Sequence, residues 1–236
     1  MKQILLMMMV VVLVGCGEDT RKAVPIPPAS KNIIADNIVE QAIRKELGKP
    51  IRTLTESVLA SVTSLNLSDT QITDEGLKEL AKLQNLTKLD LRADIITDAS
   101  LKELAKLKNL TYLDLVDTRI TDAGLKDLAK LQNLGDLVLG DTQITDVGLK
   151  EIAKLQKLKT LFLGGTKITD AGLKEVAKLQ NLTQLFLSNT QITDKGLKEL
   201  VKLRDLQLLD LYGTKITDTG FAELEKAMPN CKIFGP

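Results

Sequence analysis

The sequence contains no histidine and no tryptophan, and only six aromatic residues in 236 (four Phe, two Tyr). Without imidazole there is no Ser-His-Asp triad and no His-ligated metal. Cysteine is nearly absent too, with only Cys16 and Cys231. Two thiols make neither a four-thiolate zinc site nor a disulfide framework. Charge of one sign is missing, because 32 basic residues balance 31 acidic ones and leave a formal net charge of +1. No basic field attracts nucleic acid. No nucleophile–base pair is visible, so catalytic residues, a metal and a cofactor are not expected, and an enzyme is the least expected class. Proline is scarce where it would do most damage, with none between Val62 and Met228. The 44% apolar content is enough to build a core.

One long apolar run is present. Ile4 to Val14 is eleven residues, well short of the ~20 that span a bilayer as a helix. After Lys2 it has the form of a secretory signal. Leu13-Val14-Gly15-Cys16 resembles the lipobox of bacterial lipoproteins. That resemblance implies a signal peptide over residues 1–15, a diacylglycerol on the Cys16 sulfur, and membrane anchoring in the bacterial cell envelope. Gly17 stands where Asp marks inner-membrane retention in some bacteria, which points to the outer membrane or cell surface. Residues 16–31 carry Pro25, Pro27 and Pro28 and read as a semi-stiff tether. Cys231 is then the sole free thiol, expected as a small buried hydrophobe.

Residues 32–61 read as an N-terminal helical cap. Val39, Ala42, Ile43 and Leu47 form one apolar helix face, and Gly48 and Pro50 end it. From Val62 the chain repeats every 24 residues, with units starting at Val62, Leu86, Leu110, Leu134, Leu158, Leu182 and Leu206 and ending at residue 229. The common pattern is LxxLxLxxTxITDxGLKELAKLxN. Positions 4 and 6 are Leu, 11 is Ile, and 12–13 are Thr-Asp in all seven units. This resembles the leucine-rich repeat superfamily. The ITDxGL segment is similar to its cysteine-containing subclass, and the cap is similar to internalin-like caps. The resemblance implies an α/β solenoid: a right-handed horseshoe with parallel strands on the concave face and helices on the convex face.

One repeat cannot bury its own apolar face, so stacking is required. Alternation at positions 3–6 predicts a short strand with Leu inward. Thr at 9 is expected to bond backbone groups of an adjacent turn. Asp at 13 is expected to cap the helix that follows. Small residues at 15 are expected to permit close stacking. Residues 230–236, with Ile233 and Phe234 over the last core layer, are expected to form a C-terminal cap.

Function is expected where the repeats differ. Positions 3, 5 and 7 point outward and line the concave face in the resembled family. The candidate ligand-binding residues there are Asp90, Tyr112, Asp114, Val138, Phe162, Phe186, Leu208, Asp210 and Tyr212. Val138, Phe162 and Phe186 predict a contiguous apolar strip, with Gly140, Gly164 and Gly165 leaving room around Phe162. Asp90 and Asp114, near Lys88 and Arg92, read as a solvated charge network. Their separation of about 5 Å would suit a retaining glycosidase, but no substrate clamp accompanies them. Asp117 and Asp141 fall short of the six to eight oxygens of a calcium shell. The outward helix positions, Lys at 17, Glu or Asp at 18 and Lys at 21, read as a solubilising face. The expected partner is another protein, with a glycan or a ligand-free spacer role as alternatives, and a monomer is expected.

Overall fold

A computed structural model describes residues 33–48, 53–93 and 95–235. The expected signal peptide, Cys16, the tether, Pro50 and Asp94 lie outside the described residues. Eight parallel strands form one open sheet in chain order: β1 Ser64–Asn66, β2 Lys88–Asp90, β3 Tyr112–Asp114, β4 Asp136–Val138, β5 Thr160–Phe162, β6 Gln184–Phe186, β7 Leu208–Asp210 and β8 Lys232–Phe234. The pairing steps by 24 residues throughout, as in Leu65↔Leu89 and Leu137↔Leu161. Each strand covers positions 3–5, one residue shorter than expected. The position 6 amide instead bonds the following strand's position 5 carbonyl, as Leu139 does to Phe162 at 2.9 Å. This is the expected α/β leucine-rich repeat solenoid, with its core running along its length between sheet and helices.

The cap residues form α1 (Asn37–Leu47), ended by Gly48 in the left-handed conformation (φ 58°), and a second short helix, α2 (Glu56–Leu59). The helices of the middle repeats are single turns, such as Leu125–Leu128 and Leu173–Val176. The helical pattern GLKELAKL predicted more. The chain must turn back to the sheet within 24 residues, and Ala129 and Ala177 already occupy the C-cap.

Asp at 13 does not cap its own helix. Thr at 12 does so where a cap is seen: the Thr73, Thr97, Thr193 and Thr217 hydroxyls accept from amides two or three residues on. The aspartate instead reaches into the following repeat. Asp146 accepts from the Thr169 amide at 2.8 Å and the Thr169 hydroxyl at 2.6 Å. The same pair of bonds links Asp74 to Thr97, Asp98 to Thr121, Asp122 to Thr145, Asp170 to Thr193 and Asp194 to Thr217. Burial works against ionising Asp74, but bonds from Ser100 and Thr97 outweigh it and hold its carboxyl below the usual range.

This ladder explains position 15. A Cβ on Gly172 would lie 2.4 Å from the Asp146 carboxylate. Ser100, the exception, donates its hydroxyl to Asp74 and so turns the conflict into a bond. Asp36 caps α1 through the Val39 amide and also stands against Gly76, taking the place of a preceding repeat's aspartate. A second side-chain ladder uses Asn at position 24: Asn109, Asn133 and Asn181 donate to carbonyls of the previous repeat, and Asn85 to the Ala60 carbonyl of the N-terminal cap, at 2.7–2.9 Å. Thr at 9 donates to the carbonyl three residues back in its own turn, as Thr142 does to Leu139 at 2.7 Å.

The segment expected as a C-terminal cap contains β8, which adds a last strand to the sheet. Ile233 and Cys231 are half-buried against the core, and Phe234 stays 43% exposed. Burial still pushes the Cys231 thiol up, which keeps it protonated.

Asp146→Ala is expected to cost about 2–3 kcal/mol, because it removes two charge-assisted bonds between repeats. Asp218→Ala should cost less than about 1 kcal/mol, since Asp218 makes no such bond among the described residues and supports only its own helix. Urea denaturation measures both, and equal losses would contradict the ladder's role.

Candidate functional site

The strand register carries the position 5 side chains into one column: Asn66, Asp90, Asp114, Val138, Phe162, Phe186, Asp210 and Phe234. Each step is about 4.8 Å. The Phe162 and Phe186 rings are stacked, with centroids 5.2 Å apart and planes 26° from parallel. Both rings and Val138 are half-buried. Phe162 lies across the glycines beside it, and a Cβ on Gly140 would come within 2.8 Å of its ring. Gly140 and Gly164 therefore seat the ring. Gly165 does not, because its added Cβ would meet Asp141 instead.

Position 8 has another purpose. Asp69, Ala93, Asp117, Asp141, Gly165, Asn189 and Gly213 all have φ between 54° and 71°. That left-handed backbone favours Gly, Asn and Asp, which accounts for Asp117 and Asp141 without a metal. No group of three or more potential metal ligands occurs among the described residues.

The acidic end of the column is not a solvated network. Asp114 is 4% exposed. It accepts from the Val116 amide at 3.1 Å and the Tyr112 hydroxyl at 3.2 Å, and Arg92 lies 3.4 Å away. Arg92 also forks onto Asp90, at 2.9 and 3.2 Å. Tyr112 covers the carboxylate that sequence spacing alone left in water. Burial, opposed by the Val116 amide bond and reinforced by the Asp90 charge, raises the Asp114 carboxyl above its usual range. Burial first, then the Asp114 charge, pushes the Tyr112 phenol up to about 12.

At the other end Asp210 accepts from the Tyr212 amide at 3.0 Å. Tyr212 is 64% exposed and Leu208 is half-buried in the neighbouring column. Phe234, expected in a cap, joins the column opposite Asp210, and Lys232 sits 4.8 Å above its ring. The register could have placed it, had the inserted residue before Cys231 been read as a longer turn. Sequence reasoning also missed a groove of about 630 Å³ where α1 meets β1, lined by Ile38, Gln41, Ala42, Lys45, Asn66 and Ser68 among others. It depends on how α1 docks, which no periodicity encodes. The site residues thus fall into three groups on one face: Asp90, Tyr112 and Asp114; Val138, Phe162 and Phe186; and Leu208, Asp210 and Tyr212.

Models of the leucine-rich repeat match residues 58–81, 106–129 and 130–153, and a two-copy model matches residues 156–199. This chain is a leucine-rich repeat protein. Among solved structures, internalin C2 from Listeria monocytogenes strain 4b F2365 is 26% identical, with a TM-score of 0.62 over 86% of this chain and 95% of that one. A leucine-rich repeat protein of Leptospira interrogans is 28% identical, with a TM-score of 0.52 over 66% of this chain and 45% of that one. No curated protein sequence matches significantly. Leucine-rich repeat domains commonly serve as protein-interaction modules and are generally non-enzymatic scaffolds.

With Tyr212→Phe leaving one tyrosine, absorbance titration should place Tyr112 ionisation near about 12. Adding Asp114→Asn should lower that midpoint but keep it above the ordinary ~10, because burial remains. A midpoint unchanged by Asp114→Asn would contradict the contact.

Proposed function

We propose that this leucine-rich repeat protein is a lipid-anchored lipoprotein of the bacterial cell envelope that binds another protein through its sheet face. The observation that carries the binding reading is the stacked Phe162–Phe186 pair, continuous with Val138 and only half-buried. Aromatic side chains bury large area at low entropic cost, so an aromatic patch on a rigid sheet favours binding. Asp210 at one end, and Asp90 with Asp114 and Arg92 at the other, set the polar rim that fixes orientation. Asp114 acts by holding Tyr112 in place, since little of it meets solvent. The anchoring reading rests on the Leu13-Val14-Gly15-Cys16 box and favours the outer membrane or cell surface.

A glycan partner is the second reading. It is favoured by Tyr212, which is 64% exposed beside Asp210 and offers a sugar-stacking surface. A ligand-free spacer lipoprotein is the remaining alternative.

A photoreactive residue at Gln184, on the sheet face, should crosslink one defined protein in intact cells, whereas the same residue at Lys150 on the helical face should not. Adding Phe162→Ser and Phe186→Ser should lower that crosslink by at least about tenfold while the protein stays folded. Crosslinking that survives the double substitution would sink the strip as the site. Selective retention on glycan beads, with no protein crosslink, would favour the second reading.

Metabolic labelling with a fatty acid should mark the wild type and not Cys16→Ser. An unlabelled wild type refutes the anchor.

A further inference from the structure

The helical face is charged unevenly. In repeats 2–6 the lysine at position 21 pairs with the acid at position 18, from Lys106–Glu103 to Lys202–Glu199, at 2.5–2.7 Å. The partners are not equally exposed. The lysine side chains keep 54–59% of their surface in water and the acids only 8–29%. The carboxylates lie low against the helices, and the ammonium groups stand above them.

A second lysine row runs beside the first. Lys102, Lys126, Lys150, Lys174 and Lys198 at position 17 are exposed and make no ion pair among the described residues. Glu199 is held below the usual range by its bond to Lys202, against burial, and with help from Lys198 and from Lys174 of the previous repeat. One low carboxylate therefore sits among three ammonium groups from two repeats. At positions 17, 18 and 21 these five repeats carry ten lysines and five acids, net +5, against +1 for the whole chain. The balancing aspartates lie elsewhere: those at 13 are turned into the inter-repeat ladder, and others occupy positions 5 and 8 on the sheet side.

We propose that this helical face is a docking surface for an anionic lipid bilayer. Two lysine rows over five repeats make a cationic surface two side chains wide, which suits an array of headgroups better than a single strand of polyanion. Lysine is a compact charge on a flexible stem, suited to phosphate headgroups that present no fixed geometry. Such clusters gain from the negative potential of an anionic leaflet. The helical turns of these five repeats carry no aromatic side chain, so the contact is electrostatic and salt-sensitive. Docking through this face leaves the aromatic strip on the opposite face free for a partner. The inference rests on the anchored reading only for delivery to a membrane.

The test uses the full chain carrying Cys16→Ser, so that no lipid at that position contributes. The protein is mixed with phosphatidylcholine vesicles, with or without about 40% phosphatidylglycerol, and treated with an amine-reactive label. Lys126, Lys150 and Lys174 should be protected at least about threefold on the anionic vesicles alone, and released in about 0.5 M salt. Lys88, Lys167 and Lys215, which lie off this face, should react equally on both. Replacing the five position 17 lysines with Gln should leave the melting temperature unchanged and lower the preference for anionic vesicles by at least about tenfold. Equal reactivity on both vesicles, protection centred on Lys88, or an unchanged preference in the variant would overturn the proposal. Binding of soluble polyphosphate without vesicle protection would overturn the lipid assignment. An unlabelled Cys16 in the fatty-acid experiment would refute the anchor and leave this result standing.

Discussion

A single 24-residue unit cannot bury its own leucines, so every unit depends on a neighbour held in register. Hydrophobic burial supplies the drive but little precision, because one leucine packs nearly as well as another. Directional bonds supply the register. The strand ladder fixes one side of each unit, the Asp–Thr pairs fix the loop side, and the Asn bonds fix the end of the helical turn. Slipping one unit by a residue would break all three sets together. The invariance of Thr-Asp within this chain follows from that geometry, and so does the small residue at position 15. Asp36 extends the same contact to the N-terminal helix, so that the first repeat is held as if another preceded it.

The rigid register divides the surface into two faces of opposite character. On the sheet face the column from Asn66 to Asp210 changes from polar to apolar and back, with the stacked rings in its apolar stretch, and Phe234 ends it. On the helical face repeats 2–6 present the same lysine pattern above partly covered acids. A recognition surface needs variation, and an electrostatic surface needs only repetition. The binding reading therefore belongs to the first face and the lipid-docking inference to the second.

Much of this was legible in the residues. The 24-residue step, the inward leucines, the outward columns and the adjacency of Val138, Phe162 and Phe186 follow from periodicity, since a parallel sheet with equal repeats admits one register. The helix Asn37–Leu47 and its stop at Gly48 followed from apolar spacing and a residue that tolerates left-handed backbone. Less legible were features whose cause lies one repeat away. Asp at 13 has the composition of a helix cap, yet its carboxylate is used by the next unit. Asp90 and Asp114 looked alike in sequence too, and there the cause is near in the chain: the way the Tyr112 ring is turned makes one of them buried. The C-terminal residues read as a cap, and that they add one more strand to the sheet edge was not visible in their spacing.

The sequence by itself determined the repeat, the solenoid and the outward columns, because these depend on spacing along the chain. The tertiary structure alone decided which polar atoms meet, which carboxylate loses water, and how far each charge stands from the surface. The first depends on side chains 20 or more residues apart, such as Asp146 and Thr169, and the others on how near neighbours such as Tyr112 and Asp114 are turned once each repeat is placed. No local pattern carries that information until the repeats are stacked.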